Sequence, residues 1–307
     1  KIKTCTKMVR CLLSSTKCAE NSYKLIIQRG IHQSQMASSH VTVNGLNLHY
    51  EVAGSGSKVA LCLPGALGSI KSDFGPQLSS LAGEELTLVC WDPPGYGQSR
   101  PPARKFSNDF LRQDGRIAAQ MMKTLGHDKY ALLGWSDGGI TALMMAAAFP
   151  QQVSELVVWG ANAYVTEKDI AIYNKVRDVS QWSEKMRAPL EAIYGKEDFK
   201  KTWEGWVDAL AKIYQEENGD LCKADLDKIS CRTLIVHGNK DPLVPQEHPD
   251  YLHSKIKGSQ LVCMEDGKHN IHLRYAKEFN KLVAEFLFNK NFLVKPDDTH
   301  TNTADRP

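Results

Sequence analysis

A chain of 307 residues, 42% of them apolar, can fill one large core or two small ones. Its formal charge of +3 divides unevenly: residues 1–40 carry seven basic residues (Lys1, Lys3, Lys7, Arg10, Lys17, Lys24, Arg29) against Glu20 alone, leaving 31 basic and 34 acidic residues elsewhere. The slightly acidic body has no polybasic footprint for nucleic acid. It also has no apolar run of about 18 residues to span a membrane, the longest near-apolar stretch being Ile140 to Phe149.

Residues 1–40 are Ser-rich, acid-poor and basic, the composition of a mitochondrial transit segment. They are expected to form a leader that addresses the protein to mitochondria. Translation from Met36 would delete that signal and leave a cytoplasmic protein. Cys5, Cys11 and Cys18 fall in the leader, Cys62, Cys90 and Cys263 in apolar runs, and Cys222 and Cys231 beside a polar linker. With no CxxC and no Cys/His ligand spacing, reduced thiols are expected, with no metal and no cofactor.

From Val41 the pattern becomes regular. VTVNGLNLHYEV alternates about Asn44-Gly45 and predicts a β-hairpin with a type I′ turn. KVALCLPG (58–65) and LTLVCWD (86–92) are continuous apolar runs ending at turn residues, as strands buried on both faces do. A helix over 110–125, a strand over 130–135, an Ala/Met-rich helix over 138–149 and a strand over 154–160 follow. Between about 165 and 226 the alternation stops. Ile172, Val176, Trp182, Met186, Leu190, Ile193, Trp203, Trp206 and Leu210 recur there at helical intervals. Residues 166–226 are expected to be a helical lid inserted into the core formed by 41–165 and 227–289. A strand over 231–238, a helix near 246–256, a strand over 259–265 and one last helix over 271–288 complete the core, and 290–307 is expected to be a disordered tail. The order predicts an α/β fold with a mostly parallel central sheet flanked by helices.

Gly134-Trp135-Ser136-Asp137-Gly138 fits G-x-S-x-G between a strand and a helix, where a sharp turn lifts a nucleophile above the sheet. Ser136 and Asp137 both carry a nucleophilic oxygen. The turn demands near-hydrogen side chains two positions either side of the attacking residue. Ser136 has Gly134 and Gly138 there, whereas Asp137 has Trp135. Ser136 attacks.

A serine needs a base, and the base an orienting acid, in the chain order Ser, Asp/Glu, His. IVHGNKDPLVP supplies Asp241 after one strand, and EDGKHNIH supplies His269 after the next. Strand ends are where doubly wound sheets gather their sites. His237 and His272 compete for the base role; His269 is preferred because it lies in the loop itself. Asp266 and Glu265 are alternatives to Asp241 but lie very close to the base along the chain. The oxyanion needs two N–H groups, each worth roughly 3–4 kcal/mol in comparable sites. One is assigned to Asp137, the other to the loop LPGALGS, at Ala66 or next at Leu67. Trp135, Tyr164 and Leu243 flank these motifs and are candidates for walls of an acyl pocket.

The runs DFGPQL, WDPPGYGQSRPP, GWSDGGITAL, VVWGANAYVT, IVHGNKDPLVP and GKHNIHLR resemble the α/β-hydrolase superfamily from about Val41 to Leu287. Within it, they are most similar to a branch of serine esterases that act on α-amino-acid esters. The resemblance implies a triad of Ser136, Asp241 and His269, and a carboxylate at Asp137 that binds the substrate's ammonium. One departure is visible: the loop after the third strand reads Pro64-Gly65 where His-Gly is common.

Electrostatics points the same way for Asp137. Helix-dipole stabilisation alone would account for an acid in a first turn, by about 0.3–1 kcal/mol. A carboxylate beside a developing oxyanion, however, raises the transition state unless a cation neutralises it. An α-ammonium on the acyl group would do so. The expected enzyme is a monomer acting on small-molecule aminoacyl esters, with amino-acid thiolactones suited to the same site. The rival readings are carbon–carbon hydrolysis of ring-cleavage products, whose anions Asp137 would repel, and an inactive binding protein on a hydrolase fold.

Overall fold

The computed structural model describes residues 37–293. The transit signal, the alternative start at Met36 and the tail beyond residue 293 therefore lie outside the described residues. Eight strands form one sheet: β1 (Ala37–Val43), β2 (Leu46–Ala53), β3 (Lys58–Leu63), β4 (Leu86–Trp91), β5 (Tyr130–Trp135), β6 (Val153–Trp159), β7 (Arg232–Gly238) and β8 (Gln260–Met264). Their spatial order is β1-β2-β4-β3-β5-β6-β7-β8. The β1–β2 and β2–β4 pairs are antiparallel; all others are parallel.

The hairpin turn is as expected: Asn44 and Gly45 both take positive φ, 49° and 78°, which matches the right-handed strand twist. Its first strand, however, begins at Ala37 rather than Val41, with Ala37–His40 pairing to His49–Val52. Four residues assigned to the leader thus belong to the sheet. They form an exposed edge strand, so no apolar alternation marked them.

The helices are α1 (Ile70–Asp73), α2 (Gly75–Ser80), α3 (Phe110–Thr124), α4 (Asp137–Ala148), α5 (Glu167–Lys175), α6 (Glu184–Tyr194), α7 (Lys196–Glu216), α8 (Glu247–Lys255), α9 (Ile271–Arg274) and α10 (Ala276–Phe288). Helix α4 is apolar all round because it is buried all round, from Gly138 through Ala146. Gly115 of α3 lets the two helices approach: a Cβ there would meet Met145 Cγ at 3.0 Å.

The inserted region is mainly helical, with α5, α6, α7 and two 3₁₀ turns, Val179–Gln181 and Lys223–Lys228, and one β-bridge from Asp220 to Tyr164. Its longest helix, α7, buries Phe199, Trp203, Trp206, Leu210 and Ile213, spaced by three and four residues along one face. The single last helix expected over 271–288 is two helices, broken at Tyr275, whose hydroxyl donates to Asp266 O at 3.1 Å. The first residues assigned to the tail pack on the core. Phe292 is buried against Phe286, and its carbonyl accepts from Gln260 Nε2 at 2.8 Å.

Candidate active site

Ser136 sits between β5 and α4 at φ 54° and ψ −122°, a backbone region that costs a non-glycine residue about 1–3 kcal/mol. The surrounding contacts enforce it. Its amide donates to Trp159 O on β6 at 3.0 Å, and its carbonyl accepts from Gly139 and Ile140. The glycine rule is visible in the packing: a Cβ on Gly134 would lie 2.4 Å from Gly138 O, and one on Gly138 would lie 2.0 Å from Leu63 O. No side chain fits either place.

The strand ends bring three side chains together. The Ser136 hydroxyl donates to His269 Nε2 at 3.1 Å, and His269 Nδ1–H donates to Asp241 Oδ2 at 2.8 Å. The other Asp241 oxygen accepts the amides of Leu243 and Val244 at 2.8 and 3.0 Å. Burial pushes the Asp241 carboxyl up, but the His269 charge, its hydrogen bond and those two amides outweigh burial and hold it below the usual range. An anionic Asp241 fixes the proton on Nδ1 and leaves the Nε2 lone pair toward Ser136. Gly160, at φ 56°, makes room for the imidazole: a Cβ there would lie 2.9 Å from His269 Cε1.

The competing groups do not join this chain of hydrogen bonds. His272 is fully buried, and its Nδ1 accepts from Trp159 Nε1 at 2.9 Å. Burial pushes its pKa down to about 3, so it stays neutral. His237 is also buried and shifted down, chiefly by desolvation. Asp266 pairs with Lys240.

Among the residues suggested as pocket walls, Trp135 lies against the His269 ring, 5.3 Å between centroids, and its indole donates to His269 O at 2.9 Å. It props the loop that carries the imidazole. Leu243 meets the site through its amide. The Tyr164 ring packs on His248 and Tyr251 at 4.8 and 4.9 Å. Of the two loop residues suggested as oxyanion donors, Ala66 is partly exposed and follows Gly65. Leu67 is fully buried at φ 54°, with its carbonyl accepting from Tyr194 Oη at 2.8 Å.

Similarity to known proteins agrees with this geometry. Residues 59–195 match the family model of the alpha/beta hydrolase fold. The chain is 54% identical over 252 residues to Serine hydrolase BPHL of Mus musculus, covering 82% of this chain and 87% of that one. It is 52% identical over 254 residues to Serine hydrolase BPHL of Homo sapiens, covering 83% and 87%. The chain belongs to the alpha/beta hydrolase family. It is an enzyme, a serine hydrolase. In fold it is also similar to the meta-cleavage product hydrolase CumD from Pseudomonas fluorescens IP01, at a TM-score of 0.68 and 20% identity over 82% of this chain and 98% of that one.

Around this serine hydrolase's Ser136 stand Asp137, which the motif singled out, and neighbours of it that no motif marked. Asp137, buried in the first turn of α4, accepts from Trp206 Nε1 of the lid helix α7 at 2.8 Å. Desolvation pushes its pKa up to about 6, against the opposing pull of the Trp206 hydrogen bond and the Arg104 charge. Arg104 is already taken: two of its nitrogens donate to the two Asp114 oxygens at 2.8 and 2.6 Å. The buried trio of Arg104, Asp114 and ionised Asp137 therefore carries one net negative charge. Among the described residues Asp137 has no salt-bridge partner, and no donor reaches its Oδ1. A cavity beside it is lined by Pro64, Gly65, Tyr96, Arg104 and Thr141.

Asp73 was not singled out by any motif. Fully inside, it accepts the Gly65 amide at 3.0 Å and the Ser72 hydroxyl at 2.6 Å, tying down the loop that leads to Ala66. Desolvation pushes its pKa up to about 7. Asp73 lies in an unremarkable turn and acts through a backbone amide, so spacing gave no signal.

Proposed function

We propose that this hydrolase cleaves α-amino-acid esters through an acyl-enzyme on Ser136. The observation that carries the reading is a buried carboxylate, Asp137, with no cation of its own, one residue from a serine hydrogen-bonded to His269 and through it to Asp241.

His269 takes the Ser136 proton at Nε2 as the serine oxygen attacks the ester carbonyl. Asp241 keeps the imidazole in the right tautomer and stabilises its charged form. The Asp137 amide, at the first position of α4, has no acceptor within its own helix and is free to hold the oxyanion. The amide of Ala66 supplies the second donor, on a loop steadied by Asp73. His269 then protonates the leaving alcohol. A water that gives its proton to the same nitrogen attacks the acyl carbon and releases the amino acid and Ser136.

The substrate's ammonium neutralises Asp137, which otherwise opposes charge on the oxyanion. Anionic ring-cleavage products would add a charge of the wrong sign beside the same carboxylate. All these groups come from one chain, so the chemistry needs no second copy. Amino-acid thiolactones present the same ammonium beside an activated carbonyl and are accepted on the same grounds.

A fluorophosphonate probe tests the nucleophile. Labelling is expected on the wild-type protein at Ser136 and is expected to vanish in Ser136→Ala. Labelling that persists in the variant would overturn the assignment.

A further inference from the structure

We propose that Trp206 is a specificity-determining positioning residue: its indole N–H commits Oδ2 of Asp137 to the lid and leaves Oδ1 for the substrate's ammonium. The proposal rests on the reading of Asp137 as the ammonium site and adds the lid's share in it.

Three observations carry it. First, the Trp206–Asp137 hydrogen bond at 2.8 Å joins the lid helix α7 to the first turn of the core helix α4, and both side chains are buried. Second, the indole is held in place by its neighbours. It stacks on Trp203 at 4.8 Å and 27°, and meets Tyr173 of α5 edge-on at 5.1 Å. Trp203 is anchored in turn, its own N–H donating to Val176 O at 2.9 Å. Third, the indole is a neutral donor. It fixes the carboxylate without cancelling the charge, whereas a Lys or Arg in its place would remove the reason for a cation to bind.

A carboxylate with one oxygen pinned has one orientation to offer. The ammonium then meets a preorganised acceptor one residue from the nucleophile, so its binding is spent on aligning the ester carbonyl. A donor to the charged form also keeps Asp137 ionised against its burial. The other groups bearing on that charge are Arg104 and Asp114 from the core side, His269 from its loop, and the Tyr96 and Tyr173 hydroxyls.

The experiment compares kcat/KM for an L-valyl ester and its N-acetylated counterpart, from about pH 5 to 8, in the full chain. The ratio cancels the titration of His269, which both substrates share; below about pH 7, where the substrate's own α-amine stays protonated, it follows the charge on Asp137. In the wild type the preference for the free amine should fade as pH drops through about 6, where Asp137 takes up a proton. Trp206→Phe keeps the ring and removes the N–H. Its midpoint should move up by about one pH unit, and its preference at pH 7 should fall about three-fold or more. Trp203→Phe removes an N–H from the same stack without touching Asp137, and its midpoint should stay in place. Should Trp206→Phe not fold, Trp206→Leu, which also carries no donor, serves the same reading.

An unmoved midpoint in the Trp206 variant, or an equal shift in Trp203→Phe, overturns the proposal and leaves the Asp137 reading standing. A wild-type ratio near one at every pH overturns both.

Discussion

The two halves of this site are built on different supports. Ser136, Asp241 and His269 stand at the ends of β5, β7 and β8, on loops pinned to a sheet whose central strands are buried on both faces. Trp206 stands on a helix of the insertion and reaches the core across an aromatic stack. The strand ends fix distances between reacting atoms, which tolerate little error. The lid contributes a contact to a charge one residue away from the chemistry. On the proposed reading, bond breaking belongs to the core and the choice of substrate to the joint between core and insertion. Asp137 is that joint. Its amide belongs to the first task and its carboxylate to the second.

Changes in the core half should be the largest and should not discriminate between substrates. Asp241→Asn leaves the geometry nearly intact but permits the wrong imidazole tautomer. It should lower kcat by about four orders of magnitude on charged and neutral esters alike. A loss confined to the charged ester would break the division. A smaller effect of the same kind is expected from Asp73→Leu, which leaves the buried Gly65 amide without its acceptor and loosens the loop carrying Ala66. Steady-state kinetics should show kcat lower by about ten-fold with little change in KM. A change in KM alone would mean that Asp73 serves binding instead. The lid half should show effects smaller again and selective, as set out for Trp206.

Much of this was legible because its signals are local. Asn44-Gly45 announces the hairpin, Gly134 and Gly138 assign the attack to Ser136, and the loops after two apolar runs present Asp241 and His269 in the order the fold requires. The packing of the glycines supplies the physical content: a Cβ at Gly138 has no space beside Leu63 O. What escaped is non-local or weakly patterned. The partners of the Trp206–Asp137 contact lie 69 positions apart, and neither carries a motif that names the other. Asp73 holds Gly65 through a backbone amide, which no side-chain pattern encodes. The start of β1 escaped because an exposed edge strand of Ala, Ser and His has no alternation to read. The break at Tyr275 escaped because the apolar spacing runs through it unchanged.

The most direct test of the central claim, that a buried unpaired carboxylate beside the nucleophile selects aminoacyl esters, is Asp137→Asn. It should be assayed at pH 7 on an L-valyl ester and on the same ester N-acetylated. The substitution keeps the backbone amide and the side-chain shape, removes the charge and turns one acceptor oxygen into a donor. The account predicts that kcat/KM for the free-amine ester falls by about 30-fold or more, as expected when one partner of a desolvated charge pair is lost, while the N-acetylated ester is cleaved about as fast or faster. Equal losses on both esters would contradict it.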